Sequence, residues 1–184
     1  DPKQLPPTSF FGRSESQEWE ESELTEDMES ILDDCLASGL TSMHLRWHYR
    51  SLHESLITFS NANYYDNGLH TFPAARFSGL GVKFRHLANG VYDKGKSRTN
   101  SVEARAVVSE IVKRLENPEL ARHSIGVVTF SVAQQTLIED LLDDARRSKP
   151  ELEDFFSDKC SEPVFIKNLE SVQGDERDVI IFSI

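Results

Sequence analysis

Residues 124–130, SIGVVTF, form a continuous apolar run. That pattern suits a central strand of a parallel sheet, which is covered on both faces and therefore loses the polar alternation of an edge or surface strand. The flanking segments agree with it. Asn100, followed three residues later by Glu103, marks a helix start, and the helix runs to about Glu116 with Pro118 just beyond. A second helix is predicted over about 131–147, then strands at Val164–Lys167 and Val179–Ile184. Strands alternating with helices predict an α/β fold, a parallel sheet with helices on both faces.

The upstream half is less regular. Residues 1–11 are Pro-rich and read as a loop, and residues 12–23 as a polar, acidic connector. Met28, Ile31, Leu32, Cys35 and Leu36 recur at helical spacing, which predicts a helix over 24–38 stopped by Gly39. A short strand near Met43–Trp47 comes next, then a helix over roughly 52–63 with Leu52, Leu56, Ile57 and Phe59 on its buried side. Residues 66–81 carry Gly68, Pro73, Gly79 and Gly81 and read as a loop. Val82–Leu87 alternates like a strand. There are no internal repeats.

The chain has 184 residues, enough for one domain with a fragment of a second, and 38% of them are hydrophobic. The net charge of −11 argues against a nucleic-acid binder until its distribution is considered. Residues 15–34 hold ten of the 31 acidic residues and no Lys or Arg, which leaves 21 acids against 20 bases elsewhere. One acidic segment sets the charge, and the body is nearly neutral. No apolar run reaches bilayer-spanning length, and no signal peptide is read, so no membrane association is expected. Cys35 and Cys160 form neither a metal-ligand pair nor a disulfide framework, which fits a reducing, intracellular setting: cytoplasmic, or nuclear in a eukaryote.

Three short motifs carry the chemistry. Residues 1–7 read DPKQLPP, residues 45–51 read LRWHYRS, and residues 172–178 read VQGDERD just before the last apolar strand. A carboxamide such as Gln4 can donate to a phosphate oxygen and accept from water. An arginine such as Arg50 offers a planar positive charge with its donors in fixed geometry. Gly174 permits close backbone approach, and the Glu176 carboxylate accepts hydrogen bonds from hydroxyls.

With these motifs in this order, the chain resembles a superfamily 1 DNA/RNA helicase of the branch containing the nonsense-mediated-decay helicase and senataxin. The resemblance covers nearly the whole chain, from motif III through motif IV to just past motif V. It implies a RecA-like, P-loop NTPase-type fold, with a motif III tail of the first RecA-like domain over 1–11, an acidic connector and linking helix over 12–39, and the second RecA-like domain over 40–184. It implies that Gln4 senses the terminal phosphate, that Arg50 reaches that phosphate across the cleft, and that Tyr49 stacks on the base. His48 stands where many relatives have Gln. Gln173, Gly174 and Glu176 correspond to the turn beside the nucleotide, with Glu176 meeting the ribose. Asp178 matches a further family position with no assigned chemistry. Asn168 takes the place of a threonine that touches the nucleic-acid backbone, and Glu170 sits where an acid is common. Thr129 matches a threonine near the nucleic acid, with Gln134 slightly further on, or alternatively caps the following helix.

The resemblance further implies a parent protein that uses ATP with Mg²⁺ and moves along single-stranded DNA or RNA, in partnership with a first RecA-like domain missing from this chain. No cofactor is expected to bind this chain tightly on its own, and the isolated chain is expected to be inactive. Residues 90–97, GVYDKGKS, formally match a phosphate-binding loop. The helix signal begins only at Asn100, however, several residues too late to face the phosphates. His44 and His48, four apart on a predicted strand, are about 13 Å from each other, too far for one metal. Two other readings remain: an independent small P-loop ATPase using Gly95, Lys96 and Ser97, or a non-catalytic, degenerate RecA-like binding module.

Overall fold

The computed structural model describes residues 31–74 and 81–184. Gln4 and the DPKQLPP run lie outside the described residues, as does the beginning of the helix expected over 24–38. The chain divides into two units, residues 1–85 and 86–184.

In the first unit, α1 (Ile31–Ala37) ends where Gly39 adopts a φ of +72°, a left-handed turn that glycine enters without steric penalty. Strand β1 is only Trp47–His48, and it pairs in parallel with β2 (His70–Thr71), a strand inside the segment expected to be a loop. The pairing is held from the side chains: the Trp47 ring stacks on Phe72 with centroids 5.3 Å apart. Between them lies α2 (Ser55–Tyr64), joined to β2 by Asn61, whose carboxamide both donates to and accepts from the Leu69 backbone at 3.0 Å. The buried side expected for α2 is not realised. Leu52, Leu56 and Phe59 are exposed, because a two-residue strand pair builds no sheet broad enough to cover a helix within this unit. Val82–Leu87 alternates in sequence but forms no strand.

The second unit is built as read. Helix α3 (Ser101–Glu116) starts at Asn100, whose side chain accepts from the Glu103 N–H while Glu103 Oε2 accepts from Asn100 Nδ2, a reciprocal cap. Its Ala104, Val107, Val108, Ile111 and Leu115 recur every three or four residues and form one buried stripe. Strand β3 (Ile125–Thr129) is buried throughout. Helix α4 (Val132–Ser148) is capped by Ser131, and a 3-10 turn over Pro150–Phe155 brings Leu152 into the core. Strands β4 (Phe165–Asn168) and β5 (Val179–Ser183) flank β3 in the order β4-β3-β5, all parallel, with Val127 opposite both Ile166 and Ile181.

The parallel α/β class therefore stands. Both long helices share one core with Ile125 and Val127, and hence one face of this sheet. The other face carries Gly126 and Val128 of β3, Phe165 and Lys167 of β4, and Phe182 of β5. It is covered in part by the 169–178 connection, through contacts at Phe165 and Lys167. On that face the Phe165 ring lies across Gly126, so closely that a Cβ on residue 126 would come within 2.4 Å of it. Among the described residues, no helix is long and apolar enough to cross a membrane.

Two expectations follow. Gly126→Ala forces the Phe165 ring off the sheet, so chemical denaturation should find it destabilised by about 1–3 kcal/mol, as for other overpacked sites. The second concerns Arg146, which donates through Nε and NH2 to the Glu153 carboxylate at 3.1 and 2.7 Å and holds that carboxyl below its usual range. A depressed carboxylate pKa contributes stability above the unfolded value, and that contribution fades as pH falls through the folded one. The pair is exposed, so Glu153→Gln should lower Tm only slightly at neutral pH, and thermal melts should show the difference closing in acid.

Candidate functional site

Ten residues, 169–178, carry the chain from the end of β4, past the central strand, to the start of β5. Midway, the Asp175 N–H donates to the Val172 carbonyl at 3.0 Å, closing a turn with Gln173 and Gly174 at its centre. Gly174 has φ +92°, the value that the third position of a type II turn requires. The motif thus places its glycine where a side chain would be strained, and it leaves Gln173 and Glu176 exposed.

Three anchors hold this loop to the sheet. Lys167 Nζ donates to Asp175 Oδ2 at 2.6 Å. The Arg177 guanidinium sits 4.8 Å from the Phe165 ring centroid and donates through Nε and NH2 to the Pro163 carbonyl at 3.3 and 3.0 Å. Asp178 Oδ2 accepts from the Ser124 N–H at 2.9 Å, and the Asp178 N–H donates to Ser124 Oγ, locking the start of β5 to the start of β3. This gives Asp178 the chemistry that sequence alone left unassigned. Arg177 was not singled out from the sequence, because nothing local distinguishes a motif arginine that stacks on a strand ring from one in solvent.

At the C-terminal edge of the sheet, Asn168, Thr129 and Ser183 lie in one row. That edge is where open α/β sheets bind ligands. Thr129 is 0% exposed and its hydroxyl donates to the Ser131 carbonyl at 3.0 Å. The helix-cap reading of Thr129 is corrected: the cap is Ser131, whose hydroxyl accepts from the Gln134 N–H, while the Thr129 hydroxyl is engaged in the turn before the helix. Asn168 is half-buried; its Oδ1 accepts from the Ser171 N–H at 2.9 Å, closing the turn that opens the motif loop. Gln134 is 5% exposed, and its carboxamide exchanges hydrogen bonds with the Asn100 backbone and donates to Ser183 Oγ at 3.0 Å. One side chain thus ties the starts of α3 and α4 to the end of β5. Nothing local in the sequence could have revealed this, because its partners are 34 and 49 residues away.

In the first unit, Tyr49 and Arg50 directly follow β1. Both are exposed, Tyr49 at 77%, and the neighbouring His48 Nε2 hydrogen-bonds Ser51 Oγ at 2.7 Å. The GVYDKGKS segment is no phosphate cradle. Asp93 Oδ2 accepts from both the N–H and the hydroxyl of Ser97, so a carboxylate already occupies the donors that a phosphate would need. The following helix begins at Ser101 with its own cap in place. Among the described residues, no three His, Cys, Asp or Glu side chains stand together as metal ligands.

Comparison with known proteins agrees with the helicase resemblance and the fold class. Residues 28–184 match a family described as an AAA domain. An uncharacterized ATP-dependent helicase of Mycoplasma genitalium is 34% identical over 199 aligned positions, and its homologue in Mycoplasma pneumoniae is 30% identical over 200. Each alignment covers 100% of this chain but 17% of the relative, so the chain spans about a sixth of their length. The chain belongs to this AAA-domain family, of the superfamily 1 helicase type.

Proposed function

We propose that this chain is the second RecA-like domain of an ATP-dependent helicase that moves along single-stranded DNA or RNA. It supplies one wall of the ATP cleft and part of the nucleic-acid track. The single observation that carries this reading is the Val172–Asp175 turn, which holds Gln173 and Glu176 exposed on a loop fixed to a parallel sheet at three points. A carboxylate so presented suits ribose hydroxyls, and a carboxamide suits phosphate or water.

The remaining roles are proposed on the motif resemblance. Arg50 stabilises charge on the terminal phosphate, Tyr49 stacks on the base, Gln4 senses hydrolysis, and Asn168 meets the nucleic-acid backbone. Mg²⁺ would be held with the nucleotide by a first RecA-like domain, which contributes the opposite wall. The occupied Asp93–Ser97 loop speaks against the independent P-loop ATPase. The non-catalytic module differs from the proposal in one observable, nucleic-acid-stimulated ATP hydrolysis by the full-length protein.

That assay is the test. Full-length protein should hydrolyse ATP faster with a single strand present. Arg50→Ala should lower turnover by about 10³–10⁵ while nucleotide affinity is largely kept. Unchanged turnover in Arg50→Ala would remove Arg50 from the mechanism, and no hydrolysis by the full-length protein would favour the binding module.

A further inference from the structure

We propose that Arg177 is a positioning residue for Glu176, and that the stack of Gly126, Phe165 and Arg177 sets how the Glu176 carboxylate meets the ribose. This rests on the reading above, in which Glu176 faces the nucleotide.

The geometry is a continuous chain of contacts from the sheet to the loop. Gly126 has no Cβ, so the Phe165 ring lies flat across the central strand. The ring gives the Arg177 guanidinium an aromatic face at 4.8 Å. The same guanidinium donates through NH1 to the Glu176 carbonyl at 2.7 Å and through Nε and NH2 to Pro163. Arg177 therefore fixes the peptide that immediately follows Glu176 to the lead-in of β4. Glu176 is exposed, and its own carbonyl is one of the groups this anchor holds. A planar fork can meet both carbonyls while stacked, whereas an ammonium on a flexible stem cannot hold all three contacts at once.

A structural role alone would weaken every nucleotide equally, but a positioning role predicts a loss specific to the ribose. The experiment measures kcat/KM of the full-length protein for ATP and for its 2′-deoxy and 3′-deoxy analogues, alongside thermal melts. Wild type should prefer ATP over the analogue lacking the hydroxyl that Glu176 holds. Arg177→Ala should lose about tenfold of that preference, the worth of one hydrogen bond. Arg177→Lys should lose nearly as much while melting close to wild type, which keeps the test valid if the alanine variant folds poorly. In a Glu176→Ala background, Arg177→Lys should remove no further preference. Full preference retained in Arg177→Lys, or an equal loss for ATP and both analogues, would overturn the positioning role and leave the Glu176 contact standing. Full preference retained in Glu176→Ala would overturn that contact itself, and the positioning role with it.

Discussion

The Phe165 ring lying across Gly126 is the contact on which the outer face of the second unit depends. A strand residue with any side chain would hold the ring away from the sheet. Flat against it, the ring presents an aromatic face to Arg177, and Lys167 lies 5.4 Å from the same ring centroid while pairing with Asp175. Both cations belong to the hydrogen bonding of the motif loop. An apolar packing decision in the middle of the sheet thus becomes the placement of two exposed polar residues, Gln173 and Glu176.

The opposite face gives this arrangement its rigidity. Ile111, Ile125, Val127 and Ile138 are essentially fully buried between α3, β3 and α4, each contributing about 1.5–3 kcal/mol of burial. The polar row at the strand ends is buried without loss, because Gln134 and its partners are satisfied and no buried side-chain polar atom lacks a partner among the described residues. The first unit has another character, with no buried residue in α1 or α2 and a pair of two-residue strands braced by Trp47 and Phe72. Arg50 therefore follows a pair of two-residue strands, whereas Glu176 lies on a loop anchored to a three-stranded sheet.

The second unit was legible because its signals are local. SIGVVTF, the Asn100–Glu103 cap and the helical stripe of α3 each specify an element within a few residues, and the structure places these elements within a residue or two of the expected bounds. The Gln-Gly turn was legible for the same reason, since its glycine must occupy a positive φ. What escaped depended on distant partners. Val82–Leu87 has the alternation of a strand but forms none, and residues 70–71, read as loop, pair with a strand braced by the Trp47–Phe72 stack. Thr129 stands where a helix cap could, but its hydroxyl donates to the Ser131 carbonyl and Ser131 takes the cap. The GVYDKGKS match failed for a reason that spacing alone only half reveals, the Asp93 carboxylate sitting in the loop's own donors.

A structure of the full-length protein with a non-hydrolysable ATP analogue tests the account most directly. The ribose should lie against the Val172–Asp175 turn, with a hydroxyl about 2.6–3.0 Å from the Glu176 carboxylate and the Arg177 stack unbroken beneath it. A nucleotide bound elsewhere, leaving Gln173 and Glu176 in solvent, would contradict the account.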